Sequence, residues 1–299
     1  MILGIDVGGT NVKFGVCDEE YNIIKSYSIK TQKDKGDVYF INTISDKINE
    51  IKKEFDIEKI GIGSPGTIDS KNGVGIRASN LPYKYTPIAD IIEEATGIRP
   101  VIDNDANCAT AGEFYAGYGR ECKNMVMVTL GTGVGGGIII DKKLYTGKSG
   151  VVGEFGHFSI NFNGIPCPCG QKGCLEQYAS VTALIRQTKE AIEKNPDSLL
   201  AKMGEEKVSG RTAFDAMKAG CPVGAAVVDK YIDYLAMGIL GVNFILQPDI
   251  VVIGGAISNE GYYLINPLKE KLIRDVDVRV SKLGNSAGVI GAATIAKEN

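Results

Sequence analysis

The sequence predicts an α/β protein of two mixed lobes, and three observations carry that prediction. Short β-branched runs alternate with stretches of helical period along the 299-residue chain. A strand, a glycine-threonine turn and a second strand occur near the start and again from Met125 onward. The length suffices for one large core or two modest ones.

The elements follow in order. Residues 2–6, 12–17 and 23–28 read as three strands joined by tight turns, and residues 38–55 as a helix with apolar side chains at helical spacing. Residues 59–63 form another strand, Ser64-Pro65-Gly66-Thr67 a turn, and residues 100–103 a short strand. The Asn104-Asp105 pair opens a helix over residues 106–118. A second series begins at Met125 with a strand to Leu130, a glycine loop and a strand over residues 137–141. A loop rich in cysteine follows, then helices, the last of them long, opened by Pro222 and ending near Gln247. Residues 250–253 read as a buried strand and residues 288–297 as the final helix. Residues 194–211, with Pro196, Ser198, Gly204 and Gly210, read as a mobile or inserted connection. The expected domains are an N-terminal lobe of residues 1–118, completed by a C-terminal helix of residues 288–299, and a larger lobe of residues 119–287.

Composition narrows the function. A formal charge of −3, with lysines scattered among acids, offers no basic stripe for nucleic acid. No apolar run reaches the length of a membrane span. The chain opens directly inside a strand, without a signal peptide, so a cytoplasmic location is expected.

The single histidine, His157, lies ten residues before Cys167, with Cys169 and Cys174 close behind. Three thiolates and an imidazole match the closed tetrahedron of a structural zinc (Zn2+), with no open position for chemistry. The competing readings are a buried histidine near core cysteines and a disulfide. The cysteines sit among Gly, Pro and Asn on no apolar face, and three of them leave one unpaired.

The glycine loops bear on the chemistry. Gly131-Thr132-Gly133-Val134-Gly135-Gly136 fits the dinucleotide fingerprint literally, but the β-branched run after it is a strand, so no helix N-terminus follows to hold a pyrophosphate. The loop is a hairpin, and Asp6-Val7-Gly8-Gly9-Thr10-Asn11 repeats its grammar. Facing glycine-threonine hairpins could clamp a polyphosphate between the lobes through converging backbone N–H groups, and Asp6 could hold Mg2+ through water. Each loop taken alone also reads as an ordinary turn.

Together with Gly254-Gly255-Ala256 after the buried strand, these elements resemble the two-lobed actin-like ATPase and sugar kinase (ribonuclease H-like) fold, whose active-site cleft lies between lobes. Glu154-Phe155-Gly156-His157 and the run from Cys167-Pro168-Cys169-Gly170 to Cys174-Leu175-Glu176 resemble the E-x-G-H and C-x-C-G-x-x-G-C-x-E signatures of the ROK family of bacterial sugar kinases and repressors. The likeness extends from Asp6 through Asn104-Asp105-Ala106-Asn107 to the final helix.

The resemblance implies that Asp105 is the catalytic base, although an Asn-Asp pair at a helix start also reads as a cap. It implies a sugar site of Gly66, Asn80, Asn104, Asp105, Glu154, His157 and Glu176, with His157 shared between zinc and sugar. Asn80 before Leu-Pro also fits turn chemistry, and Glu176 a helix-start charge. ATP would meet Asp6, Gly8, Gly9, Thr10, Asn11, Gly131, Thr132, Gly133, Gly254 and Gly255. Asn11 stands where many relatives carry lysine, and Lys13 follows on the next strand. The implied activity is ATP-dependent phosphorylation of a hexose 6-hydroxyl, with glucose foremost and fructose, mannose or an N-acetylhexosamine behind it, in a homodimer or homotetramer. A sugar-responsive regulator is the alternative, but regulators of this family carry a helix-turn-helix domain ahead of the Asp-Gly-Gly-Thr loop, for which a loop starting at Asp6 leaves no room.

Overall fold

A computed structural model of the chain describes residues 1–148, 150 and 152–298. Asn299, the end of the helix expected over residues 288–299, lies outside the described residues. The described part divides into two compact units, one formed by Met1–Lys123, Gly137–Val152 and Asn285–Asn299, the other by Asn124–Gly136 and Gly153–Gly284.

In the first stretch of chain, β1 (Ile2–Val7), β2 (Asn11–Cys17) and β3 (Ile23–Lys30) form an antiparallel meander. Helix α1 (Asp37–Lys52) buries Phe40, Ile41, Ile44, Ile48 and Ile51 on one face, as its spacing requires. β4 (Lys59–Ser64) then pairs with β1 in parallel. β5 (Thr67–Asp69), β6 (Val74–Arg77) and β7 (Lys84–Thr86) make a small separate sheet, followed by α2 (Ile88–Thr96). β8 (Val101–Asn104) pairs with β4 in parallel and leads directly into α3 (Asp105–Tyr115).

β9 (Met125–Leu130), β10 (Val134–Ile140) and β11 (Lys143–Leu144) open the second series. The helices α4 (Glu176–Ala179), α5 (Val181–Lys194), α6 (Leu199–Gly204), α7 (Thr212–Lys218) and α8 (Pro222–Leu246) follow. Then come β12 (Ile250–Gly254), α9 (Tyr262–Lys271), β13 (Val278–Val280) and α10 (Ala287–Glu298). The connection expected over residues 194–211 thus carries a short helix, α6, whose first turn is capped by the Ser198 hydroxyl.

The two sheets repeat one order. The first runs β3-β2-β1-β4-β8 and the second β11-β10-β9-β12-β13. In both, the strand that opens the series sits at the centre, and the crossover strands beyond it lie parallel. Such sheets gather ligands at the carboxyl ends of their parallel strands, where chain direction brings successive loops together.

Each unit has its own core. In the first, Leu3, Ile5, Phe14, Ile60 and Ile62 of the sheet pack with the buried face of α1. Helix α10 lies against β1 and β4 so closely that a Cβ at Gly61 would overlap the Ala292 carbonyl, so only glycine permits the contact. In the second, Val126, Val128, Val251 and Ile253 pack with Tyr231, Leu235 and Ile239 of α8. α8 starts on Pro222 and stops at Gln247, whose backbone is left-handed (φ 42°).

Candidate active site

In the first unit, the β1–β2 connection is a tight turn closed by Gly8 N–H to the Asn11 carbonyl at 3.0 Å. It is tied down from the residue just past β3, where the Thr31 hydroxyl donates to Gly8 O at 2.7 Å and the Thr31 N–H to Thr10 O at 3.0 Å. A Cβ on Gly9 would lie 2.9 Å from Asn80 Nδ2, so glycine at this position admits the Asn80 amide. Asp6 and Lys13 are direct cross-strand partners, with Lys13 Nζ 3.8 Å from the Asp6 carboxylate. Burial pushes the Asp6 carboxyl above its usual range, and Lys13 offsets this only in part.

Asn104 and Asp105 stand at the junction of β8 and α3. Asn104 has extended backbone (φ −61°, ψ 146°), and its side-chain oxygen accepts from Ala106 N–H at 2.9 Å as the N-cap. Its amide also donates to Gly66 O at 3.2 Å, joining this junction to the turn after β4, where Gly66 adopts φ 99°. Asp105 accepts from the same Ala106 N–H at 2.9 Å. Cap and carboxylate therefore share one half-buried end of a helix whose dipole favours negative charge.

In the second unit, Gly131 N–H donates to Gly133 O at 3.0 Å, closing the loop between β9 and β10. The loop is held by Val181 N–H on Gly131 O at 2.8 Å and by the Thr182 hydroxyl on Thr132 O at 2.8 Å. Glu176 accepts from Val134 N–H at 3.1 Å, and a Cβ at Gly133 would overlap its carboxylate. Glu176 is thus joined to the glycine loop, a contact that sequence spacing did not indicate. Gly255, just past β12, has φ 85°, and a Cβ there would overlap Leu130 backbone atoms, so the turn after Gly254 requires glycine.

The ligating atoms of His157, Cys167, Cys169 and Cys174 all lie within 4.8 Å of one another. Cys167 Sγ is 3.7 Å from His157 Nδ1, and Cys169 Sγ is 3.5 Å from Cys174 Sγ. A zinc tetrahedron with Zn–S bonds of ~2.3 Å has edges of about 3.7 Å, so the donor set and its spacing fit the ion. The other ring nitrogen, Nε2, lies 3.9 Å from the Glu154 carboxylate. Gly173, with φ 70°, turns the chain beneath Asn161 O to bring Cys174 into the cluster.

Two residues escaped the reading from sequence. Asp103, within β8, is buried, and its Oδ1 accepts from Asn104 N–H at 2.6 Å and from Asn107 Nδ2 at 2.9 Å. Burial holds its carboxyl above the usual range, against the opposing effect of these donors and the Ser70 side chain. A polar residue inside a short apolar strand was the available signal.

Two α/β sheets of matching order, each opening on a glycine-threonine turn, define the class as the actin-like ATPase and sugar kinase fold. The profile described as the ROK family matches residues 2–299, and the chain belongs to that family. It is 36% identical over 308 residues to the glucokinase of Thermotoga maritima, covering 99% of this chain and 97% of that protein. It is 34% identical over 312 residues to the glucokinase of Halalkalibacterium halodurans, covering 99% and 94%. The crystal structure of a ROK family glucokinase from Streptomyces griseus in complex with glucose and AMPPNP aligns with TM-score 0.86 at 32% identity, over 100% of this chain and 99% of that one. No helix among the described residues is long and apolar enough to cross a membrane.

Proposed function

We propose that this chain is an ATP-dependent glucokinase, transferring the γ-phosphoryl group of ATP to the 6-hydroxyl of glucose. The observation that carries the reading is Asp105 at the first position of α3, beside its Asn104 cap, in a chain that aligns end to end with glucokinases. A sugar hydroxyl does not ionise at neutral pH, so a base must accept its proton as the new P–O bond forms. Asp105 takes the O6 proton, O6 bonds to the γ-phosphorus, and the bond to the β–γ bridging oxygen breaks, releasing ADP with that electron pair.

Asn80 and Asn104 provide amides that both donate and accept, which suits hexose hydroxyls, and the turn at Gly66 exposes backbone beside them. Glu154, His157 and Glu176 contribute the remaining polar contacts to the sugar. Gly8, Gly9, Thr10, Asn11, Gly131, Thr132, Gly133, Gly254 and Gly255 offer backbone and hydroxyl groups to the nucleotide. Asp6 would help hold Mg2+, which would supply charge neutralisation at the transferring phosphates. His157, Cys167, Cys169 and Cys174 would hold a zinc ion that fixes the loop, and ligation by one ring nitrogen of His157 would leave the other as a donor toward sugar. Thiolate zinc ligands and ATP both suit the reducing cytoplasm.

The test is Asp105→Asn, assayed by ADP release coupled to glucose 6-phosphate detection. Turnover is expected to fall by about 10³-fold or more while glucose still binds. Turnover near the wild-type rate would remove Asp105 from the base role.

A further inference from the structure

We propose that Asp103 and Asn107 form a positioning clamp that sets the orientation of Asp105 for phosphoryl transfer. The inference rests on Asp105 being the base. Asp103 lies two residues before Asp105 and Asn107 two after, and their side chains meet at 2.9 Å beneath the junction of β8 and α3. The same Asp103 oxygen holds Asn104 N–H at 2.6 Å. The backbone entering Asp105 is therefore fixed by Asp103, and the helix turn leaving it by Asn107.

Both clamp residues are buried, Asp103 at 8% and Asn107 at 1% exposure, so neither side chain has bulk water as a substitute partner. A carboxylate suits the site because its several lone pairs can accept from the Asn104 N–H, the Asn107 amide and the Ser70 side chain together. The Asn107 amide cannot turn over without placing its oxygen against that carboxylate. Its oxygen Oδ1 is buried with no hydrogen-bond partner among the described residues, so Asp103 dictates the orientation that Asn107 adopts. The Asn104 cap, bonded to Ala106 N–H and Gly66 O, then transmits this fixed geometry to the face that Asp105 presents.

A misplacement of about 1 Å at a reacting group costs on the order of 10²-fold in rate. Asp103→Ala is accordingly expected to lower kcat by about 10²-fold, with KM for glucose and for ATP changed by less than about threefold. Asp103→Asn keeps an oxygen acceptor for both bonds and is expected to recover kcat to within about 10-fold of wild type. Asn107→Ala removes one arm of the clamp and is expected to lower kcat about 10-fold at unchanged KM; it decides the matter if Asp103→Ala does not fold. A kcat per folded molecule near wild type in Asp103→Ala, or in Asn107→Ala where the former is unfolded, overturns the clamp. So does a loss shared equally by Asp103→Ala and Asp103→Asn. Asp105→Asn, measured alongside, separates the two ideas: turnover there overturns the base itself, whereas a dead Asp105→Asn beside an active Asp103→Ala overturns the clamp alone.

Discussion

Asp6 is a carboxylate held where burial disfavours its charge, with Lys13 as an opposing cation. Its raised folded value means the folded chain binds more protons than the unfolded chain as pH climbs from the ordinary 3.8. The resulting loss of stability sets in as pH rises through that interval and persists at neutral pH. Asp6→Asn is therefore expected to melt at a higher temperature than wild type at pH 7.5, with the gap closing as pH falls toward about 4. It is also expected to lose Mg2+-dependent turnover, an exchange of stability for function. Melting curves across pH check this, and a wild type more stable than the variant at pH 7.5 would contradict it. At Asn104 and Asp105, the sequence left cap and catalytic residue as alternatives. The structure gives the cap to Asn104, whose side-chain oxygen accepts from Ala106 N–H, and this leaves the neighbouring carboxylate at the helix end available for the proposed base role.

Elements with a full period of pattern could be read from the chain, and the short ones could not. α1, α8 and the strands β1 to β4 were legible because each spans enough residues to display its periodicity. β5, β6 and β7, of three or four residues each, display no alternation, and their pairing depends on chain brought together by the fold. β10 begins at Val134, ahead of the expected residue 137, because Gly135 and Gly136 carry no apolar signal. Yet a Cβ at Gly136 would overlap Phe155 and Met127 O, so the strand needs the residue that hides it. The cysteine loop was legible for another reason, since ligand spacing survives without regular structure. Cys169, the exposed member, is expected to hold zinc: Cys169→Ser should bind less than one equivalent and disorder the loop while the rest of the unit stays folded. Metal analysis finding a full equivalent in the variant would remove Cys169 from the ligand set.

At the scale of the molecule, the repeated sheet order explains why two glycine-threonine turns exist, one at the centre of each sheet. That repetition was visible in the sequence as two similar hairpins. The buried Asp103–Asn107 contact was not, because a polar residue in a short strand can mark Asp103 as unusual without showing that it meets Asn107 inside the unit. Sugar preference is set by differential contacts around the hexose, where one unmatched polar group changes discrimination by orders of magnitude. The most direct test of the account is kcat/KM for glucose, fructose, mannose, N-acetylglucosamine and N-acetylmannosamine, measured with ATP and Mg2+ on zinc-replete protein. Glucose is expected to give the highest value, with ADP and glucose 6-phosphate formed one to one. Folded, zinc-replete protein that leaves glucose untouched, or that turns over another of these sugars faster, would contradict it.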